Sequence, residues 1–311
     1  MVGFSYENYK NYGKCLKMDN GVVSLFVTID VGPRIISYSL KDGENVFFCD
    51  VDRKQNFSDE KYRETFGKDA VWQIFGGHRI WAAPESLYEM YTPDNEPVEF
   101  SKDGNSVTFT HRVYESSPLK KSMTVTLDET TSEVTVLHRI ENVGTEPKTF
   151  AVWAVSAVDA GGTELLPYAI DDAGLLPNKN IVFWTYADIK DPRISFGNKF
   201  LTLRQNPDCG ESKTKFGFLS EAGKAYYLNK NNLFTISFAS DISADHLDRC
   251  CNYETYTNRL FLEMETLSPV KKVLPGQALE HTEHWTLSKV DCVPDLSSDK
   301  SIGDFIGSVC K

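Results

Sequence analysis

The chain has 311 residues, a hydrophobic content of 41%, a charged content of 25% and a formal net charge of −11. This composition allows one large domain with an extensive core, or two domains of ordinary size. The negative charge argues against a nucleic-acid partner or an anionic-membrane partner, because both bind cationic surfaces.

The sequence indicates a cytoplasmic protein. No stretch approaches the roughly 20 apolar residues that a membrane-spanning helix needs, and residues 1–21 lack the apolar centre of a signal peptide. The seven cysteines show no repeated CxxC spacing, and Cys250 and Cys251 are adjacent. This usage is typical of free thiols in a reducing compartment. The sequence does not indicate an oligomeric state.

Alternation of apolar and polar residues predicts strands along most of the chain. The alternating runs lie at 21–30, 33–40, 44–50, 97–115, 122–142, 215–239, 259–270 and 278–290. Helical patterns are confined to 58–67, with Ser58 as the expected N-cap, and to 298–310. Strands spaced about 8–12 residues apart predict an all-β fold, a large antiparallel β-sandwich with few short helices.

A single domain is predicted for residues 1–290. Residues 291–311 are expected to form a C-terminal tail whose short helix packs on that domain. No proline- or serine-rich linker divides the chain. The loop-rich stretch 160–215 is interpreted as an insertion that lines a cleft.

Motifs for nucleotide cofactors, serine hydrolases and zinc peptidases do not occur in the sequence. The nearest pattern to a metal site is His281-Thr282-Glu283-His284. On a strand, residues 281 and 284 point to opposite faces, so the two imidazoles do not converge on one ion. We therefore expect neither a metal nor a cofactor.

The segment FGGHRIWAAPE, residues 75–85, concentrates side chains suited to a ligand site. His78 exchanges a proton near neutral pH, Arg79 offers a planar fork of donors, and Trp81 and Trp72 provide flat apolar faces. An alternative interpretation is a bulged strand in which the tryptophans are buried and Arg79 pairs with a carboxylate.

A second informative segment is the predicted strand 259–266. Alternation places Arg259, Phe261, Glu263 and Glu265 on one face. Two glutamates beside an arginine are unusual over a core and reasonable in a cleft, where like charges raise the pKa of one carboxyl group. The alternative is an ordinary solvent-facing surface of an antiparallel sheet.

Together these segments resemble the galactose mutarotase-like superfamily, and more closely a group within it that carries a GGHR-x-W-x-APE segment. The resemblance covers nearly all of residues 20–288 in the same order. It includes GPRIISYSLKDGENVFF, ENVGTEPKTFAVWAVSAVDAGG, NYETYTNRLFLEMETLSP and LPGQALEHTEHWTL. It implies a β-supersandwich of two large antiparallel sheets with a carbohydrate site on the concave face.

The resemblance also implies a catalytic base. In mutarotases a glutamate late in the chain takes the proton of the anomeric hydroxyl. The matching segment is LEMETLSP, which makes Glu265 the first candidate and Glu263, on the same face, the second.

The expected acid is missing from its usual place. In mutarotases a histidine protonates the ring oxygen, but no histidine occurs from 139 to 245, and Trp153 lies near the expected position. An indole donates a hydrogen bond but does not shuttle protons. The sequence hypothesis is therefore that His78 supplies the acid from across the cleft.

Aldose 1-epimerisation is the most concrete function that follows, because it needs two proton transfers and no cofactor. A non-catalytic carbohydrate-binding module is the first alternative. A relative of glycoside hydrolases or lyases, using Glu85 and Glu265, is the second. A neutral saccharide is the expected ligand, since no compact cluster of lysines and arginines marks a phosphate pocket. The expected substrate-binding residues are Arg79, Trp81, Glu85, Trp153, Glu254, Tyr256, Asn258 and Arg259.

Overall fold

Two long neighbouring strands show how the alternating sequence is used. In the computed structural model, which describes residues 1–168 and 172–310 but not the side chains of residues 88 and 89, Leu119–Leu127 pairs antiparallel with Val134–Asn142. Every second residue of both strands is buried. One face therefore packs on the core while the other faces solvent, as alternation predicts.

The strands repeat this arrangement along the chain. In chain order they are β1 Gly3–Asn8, β2 Lys14–Asp19, β3 Val23–Thr28, β4 Ile35–Leu40, β5 Asn56–Phe57, β6 Trp72–Gln73, β7 Gly77–Ala83, β8 Glu99–Asp103, β9 Ser106–Thr110, β10 Leu119–Leu127, β11 Val134–Asn142, β12 Lys148–Asp159, β13 Thr163–Pro167, β14 Val182–Phe183, β15 Ile194–Phe196, β16 Phe200–Arg204, β17 Thr214–Phe218, β18 Lys224–Asn229, β19 Asn232–Phe238, β20 Tyr253–Thr257, β21 Phe261–Leu267, β22 Lys271–Val273 and β23 Ala278–Lys289.

Most strands belong to two large antiparallel sheets. The first sheet has the order β1-β2-β3-β4-β7-β12-β21-β20-β17-β14, with β22 added beside β12. The second has the order β15-β16-β13-β18-β19-β23-β11-β10-β9-β8, and β5 pairs only with β6 within the described ranges. The main hydrophobic core lies between the sheets and includes Ile80 and Met264 from the first and Val125 and Trp285 from the second. The predicted all-β sandwich is confirmed.

The centre of the first sheet is covered on both faces. All residues of β7 and β21 are buried. Ile80 faces the core between the sheets, whereas Trp81 belongs to a separate apolar cluster on the outer face, with Trp72, Trp153 and Phe261. This outer cluster forms the surroundings of the candidate site.

Four helices occur in the described ranges: α1 Glu60–Phe66, α2 Leu87–Met90, α3 Leu247–Cys250 and α4 Asp299–Val309. Asp59, not the expected Ser58, caps α1, because its carboxylate accepts from the Tyr62 amide at 2.7 Å. α4 follows the predicted pattern and buries Ile302 and Phe305. In the part of the chain that the structure describes, no helix combines the length and apolarity needed to cross a membrane. The seven cysteines are free thiols.

Two element predictions were wrong. Residues 44–50 form only isolated bridges, Phe47 with Val158 and Cys49 with Gly76. The Asn45 side-chain amide donates to the Ile36 and Phe47 carbonyls, so a side chain takes up backbone acceptors that a continuous strand would use. The stretch 160–215, expected to be loop-rich, instead contains β13 to β16 and the start of β17, although part of it lines a cavity, as expected. These strands are short, and the first four residues of β13 are all buried, so they show little alternation.

Candidate functional site

A cavity of about 370 Å³ opens on the outer face of the first sheet. We call it the inner cleft. Its walls come from β7, β12, β17, β20 and β21, with loop residues such as Gln55 and Tyr186 at its rim. The register explains the convergence: Arg79 pairs with Val155 and Val155 with Glu265, so side chains from three neighbouring strands share one face.

Glu265 is held in the inner cleft by two donors. Lys215 Nζ lies 2.7 Å from Glu265 Oε2, and Trp153 Nε1 donates to the same oxygen at 2.9 Å. Among the described residues, no hydrogen bond reaches Oε1 of this carboxylate. The carboxylate is thereby oriented through one oxygen, and the other has no hydrogen-bond partner among the described residues.

A second carboxylate shares the same ammonium group. Lys215 Nζ is also 2.7 Å from Oε2 of Glu254, which lies opposite Glu265 in the β20–β21 register. The three side chains, which we call the lysine–glutamate triad, are 7%, 0% and 1% exposed for Lys215, Glu254 and Glu265. One cation therefore serves two buried carboxylates.

The triad shifts the proton affinity of all its members. Burial raises the pKa of Glu265 above its ordinary value, although the Lys215 ammonium partly opposes this. Burial likewise raises the pKa of Glu254. Burial alone would lower the pKa of Lys215, but the two carboxylates outweigh it and raise that pKa. The raised pKa of Glu265 moves this carboxyl group toward the range of a general base, and the raised pKa of Lys215 keeps its side chain an ammonium.

Arg79 and Glu263 form a second buried ion pair in the inner cleft. Arg79 Nη2 donates to Glu263 Oε1 at 2.6 Å, and the guanidinium carbon lies 4.0 Å from the centre of the Trp81 ring. Arg79 Nε and Nη1 and Trp72 Nε1 are buried and lack a hydrogen-bond acceptor among the residues that the structure describes. Buried donors without acceptors are costly, and these three donors are unsatisfied polar groups of residues that line the cleft.

His78 is not part of this constellation. It lies next to Arg79 in β7 and so points to the opposite face, into the core between the sheets. Its Nδ1 is 2.8 Å from Ser156 Oγ, and its Nε2 is 2.6 Å from His138 Nε2. It is fully buried, and burial and the neighbouring imidazole lower its pKa well below the usual value. The expected pairing of His78 with Glu265 across a cleft is therefore not found.

The other candidates divide into three positions. The inner cleft is lined by Arg79, Trp81, Glu85, Trp153, Tyr256, Asn258, Glu263 and Glu265. Glu254 lies behind Lys215 and does not line the cleft. Arg259 was expected on the Glu265 face, but it precedes β21 and lies in an adjoining cavity. Sequence reasoning missed Lys215, because β17 is buried at every residue and shows no alternation.

Comparison with known proteins supports the fold. No protein-family model matches the sequence, and no curated protein matches it. Among solved structures, a provisionally assigned aldose 1-epimerase from Klebsiella pneumoniae has a TM-score of 0.60 and 14% identity, over 100% of this chain and 89% of that one. A galactose mutarotase-like protein from Clostridium acetobutylicum has a TM-score of 0.54 and 12% identity, over 93% and 99%. One from Lactobacillus casei has 0.53 and 13%, over 88% and 99%. The predicted resemblance to the galactose mutarotase-like superfamily is thus confirmed at the level of fold.

Proposed function

We propose that the inner cleft binds a neutral saccharide and that the protein catalyses aldose 1-epimerisation, with Glu265 as the base and Lys215 as the acid. The observation that carries this proposal is the lysine–glutamate triad, in which Lys215 Nζ lies 2.7 Å from the Glu265 carboxylate at the cleft wall. Lys215 takes the role that the sequence hypothesis gave to His78.

The reaction needs an acid and a base that both reach the anomeric centre. The anomeric hydroxyl oxygen and the ring oxygen of an aldose are bonded to the same carbon, so two groups on one wall of the cleft serve both oxygens. Glu265 Oε1 takes the proton of the anomeric hydroxyl while Lys215 Nζ gives a proton to the ring oxygen. The bond between the anomeric carbon and the ring oxygen breaks, and an open-chain aldehyde forms.

Ring closure reverses both transfers. After rotation about the bond between C1 and C2, the hydroxyl attacks the other face of the aldehyde carbon. Lys215 recovers its proton from that hydroxyl, and Glu265 returns its proton to the new anomeric oxygen. Because Glu265 gains a proton as Lys215 loses one, the total charge of the triad stays constant through each step. A constant charge suits a buried site, where any unbalanced charge is costly.

The charge balance of the inner cleft favours a neutral ligand. Arg79 is paired with Glu263, and Lys215 is paired with Glu254 and Glu265. Both buried cations are therefore already matched by carboxylates. The unpartnered donors of Arg79 suit hydroxyl oxygens, and aromatic rings such as Trp81 suit the C–H faces of a sugar.

The test is the rate of anomer exchange. Freshly dissolved glucose, galactose, mannose and xylose are followed by polarimetry and by NMR exchange, with wild-type protein and with Glu265→Gln and Lys215→Met. The proposal expects faster exchange of at least one aldose with wild type, and loss of that acceleration in both variants. Saccharide binding without acceleration would support the non-catalytic module instead. Absence of both would overturn the proposal.

A further inference from the structure

We infer that the inner cleft continues into a second saccharide subsite, and that the preferred substrate is the reducing end of an oligosaccharide instead of a free monosaccharide. This inference rests on the proposed function and specifies its substrate class. It comes from a second cavity, of about 250 Å³, which we call the outer subsite.

The two cavities adjoin. Gln55, Lys213, Tyr256 and Asn258 line both of them. The outer subsite extends beyond these shared residues to a polar surface that includes Arg259. A ligand seated against Glu265 in the inner cleft would therefore reach the outer subsite through the ridge that these four side chains form.

The outer subsite has the chemistry of a polar, wet sugar site. Arg259 Nε lies 3.8 Å from Glu211 Oε1, which is too long for a hydrogen bond. The two side chains are 53% and 94% exposed. Their donors and acceptors thus remain available to hydroxyl groups, in contrast to the tightly paired Arg79 and Glu263 of the inner cleft.

The ridge between the cavities is held in place by its own hydrogen bonds. Asn258 Oδ1 accepts from the Leu260 amide at 2.7 Å, and the Asn258 carbonyl accepts from Gln205 Nε2 at 2.9 Å. Asn258 Nδ2 also donates to Tyr256 Oη at 3.3 Å. A preformed ridge lowers the ordering cost of binding, which favours a ligand long enough to contact both sides of it.

The position of the triad decides which sugar of the ligand occupies which cavity. Only the inner cleft contains Glu265 and Lys215, so the sugar with the free anomeric carbon occupies it. The next sugar, joined through a glycosidic bond, occupies the outer subsite, where Arg259 donates to its hydroxyls. The unreactive sugar then contributes binding free energy without entering the chemistry.

The experiment compares matched sugars by calorimetry and by anomer exchange. The pairs are glucose with maltose and cellobiose, galactose with β-1,4-galactobiose, and mannose with β-1,4-mannobiose. The variants are Arg259→Ala and, as a matched control, Arg139→Ala, which removes an arginine paired with Glu141 and Glu280 on the second sheet. A hydrogen bond to a charged group makes a difference of about tenfold or more in affinity. We therefore expect at least one disaccharide to bind about tenfold more tightly than its monosaccharide, and Arg259→Ala to remove this advantage while leaving monosaccharide affinity unchanged.

The outcomes separate the two proposals. Monosaccharide exchange that depends on Glu265, with no disaccharide advantage, overturns the outer subsite and retains the proposed function. A disaccharide advantage that survives Arg259→Ala, or that Arg139→Ala removes equally, also overturns the assignment of Arg259. If no sugar of either length binds or exchanges, both proposals are overturned.

Discussion

The substitution Glu265→Gln tests the proposed base while changing the packing of the inner cleft very little. Glutamine keeps the size of the side chain and an acceptor for the Trp153 indole, which lies 2.9 Å from Glu265 Oε2. It removes the only feature that the base requires, a carboxylate oxygen able to take a proton. General acid–base catalysis contributes about 10² to 10⁴ in rate, so we expect a loss in kcat of that size.

The triad limits the cost of this change to stability. Breaking a buried ion pair costs about 3–5 kcal/mol when it leaves a charge uncompensated. In Glu265→Gln, however, Lys215 keeps the Glu254 carboxylate at 2.7 Å. The free energy of unfolding is therefore expected to stay within about 1 kcal/mol of the wild-type value. The double variant Glu254→Gln/Glu265→Gln leaves Lys215 unpaired and should lose about 3–5 kcal/mol.

The assay combines anomer exchange by NMR with urea unfolding, on the wild type, both variants and Glu141→Gln. Glu141 pairs with Arg139 on the second sheet at 2.7 Å, so it controls for loss of a glutamate ion pair outside the cleft. Wild-type exchange rates in Glu265→Gln would refute the role of Glu265. A single-variant loss as large as that of the double variant would refute the shared-cation description of the triad.

Three further predictions concern pH and the buried polar groups. Because burial raises the pKa of Glu265 and the base must be ionised, kcat/KM should rise with pH through a pKa above the ordinary glutamate value. In Lys215→Met, any remaining activity should show this rise at a higher pH, since the variant lacks the ammonium that lowers the pKa of Glu265. Burial raises the pKa of Glu164 to about 8, so the unfolded chain releases this proton at lower pH than the folded one. The free energy of unfolding of the wild type should then fall by about 4 kcal/mol between pH 5 and pH 8 relative to that of Glu164→Gln. Urea unfolding at several pH values measures this, and the same pH dependence in both proteins would contradict it. His78→Ala should reduce stability by about 1–3 kcal/mol, since it leaves the Ser156 hydroxyl and His138 Nε2 without their hydrogen-bond partner. The exchange rate per folded molecule should be unchanged, and a selective loss of rate would restore His78 as a catalytic candidate.

Alternation predicted the sandwich because most strands are buried on one face only. It also placed Glu263 and Glu265 together on β21, where the structure brings both into the inner cleft. Alternation gave the wrong face for Arg259, because this residue lies in a turn and not in a strand. Asn258 Oδ1 accepts from the Leu260 and Phe261 amides and ends the strand there, so Arg259 follows the turn to the outer subsite.

The expected placement of His78 in the cleft failed for a different reason. β7 and β17 are buried on both faces, and in such strands hydrophobicity no longer distinguishes the core side from the cleft side. The segment 75–85 therefore indicated a site without showing whether His78 or Arg79 faced it. Lys215 gave no signal, because its partners Glu254 and Glu265 lie 39 and 50 positions away along the chain.

In these strands, the charge of a side chain indicates which face it occupies, whereas its hydrophobicity does not. His138 Nδ1 lies 3.0 Å from the His281 carbonyl and donates to it, so His138 Nε2 accepts the hydrogen bond from His78 Nε2. A neutral imidazole satisfied in this way is tolerated in the core. A guanidinium or an ammonium keeps its charge and needs a carboxylate partner, and Arg79 and Lys215 have theirs at the cleft wall. Within FGGHRIWAAPE, Arg79 therefore marks the face of the sheet that carries Glu265, and the proposed acid, Lys215, is a cation on that same face.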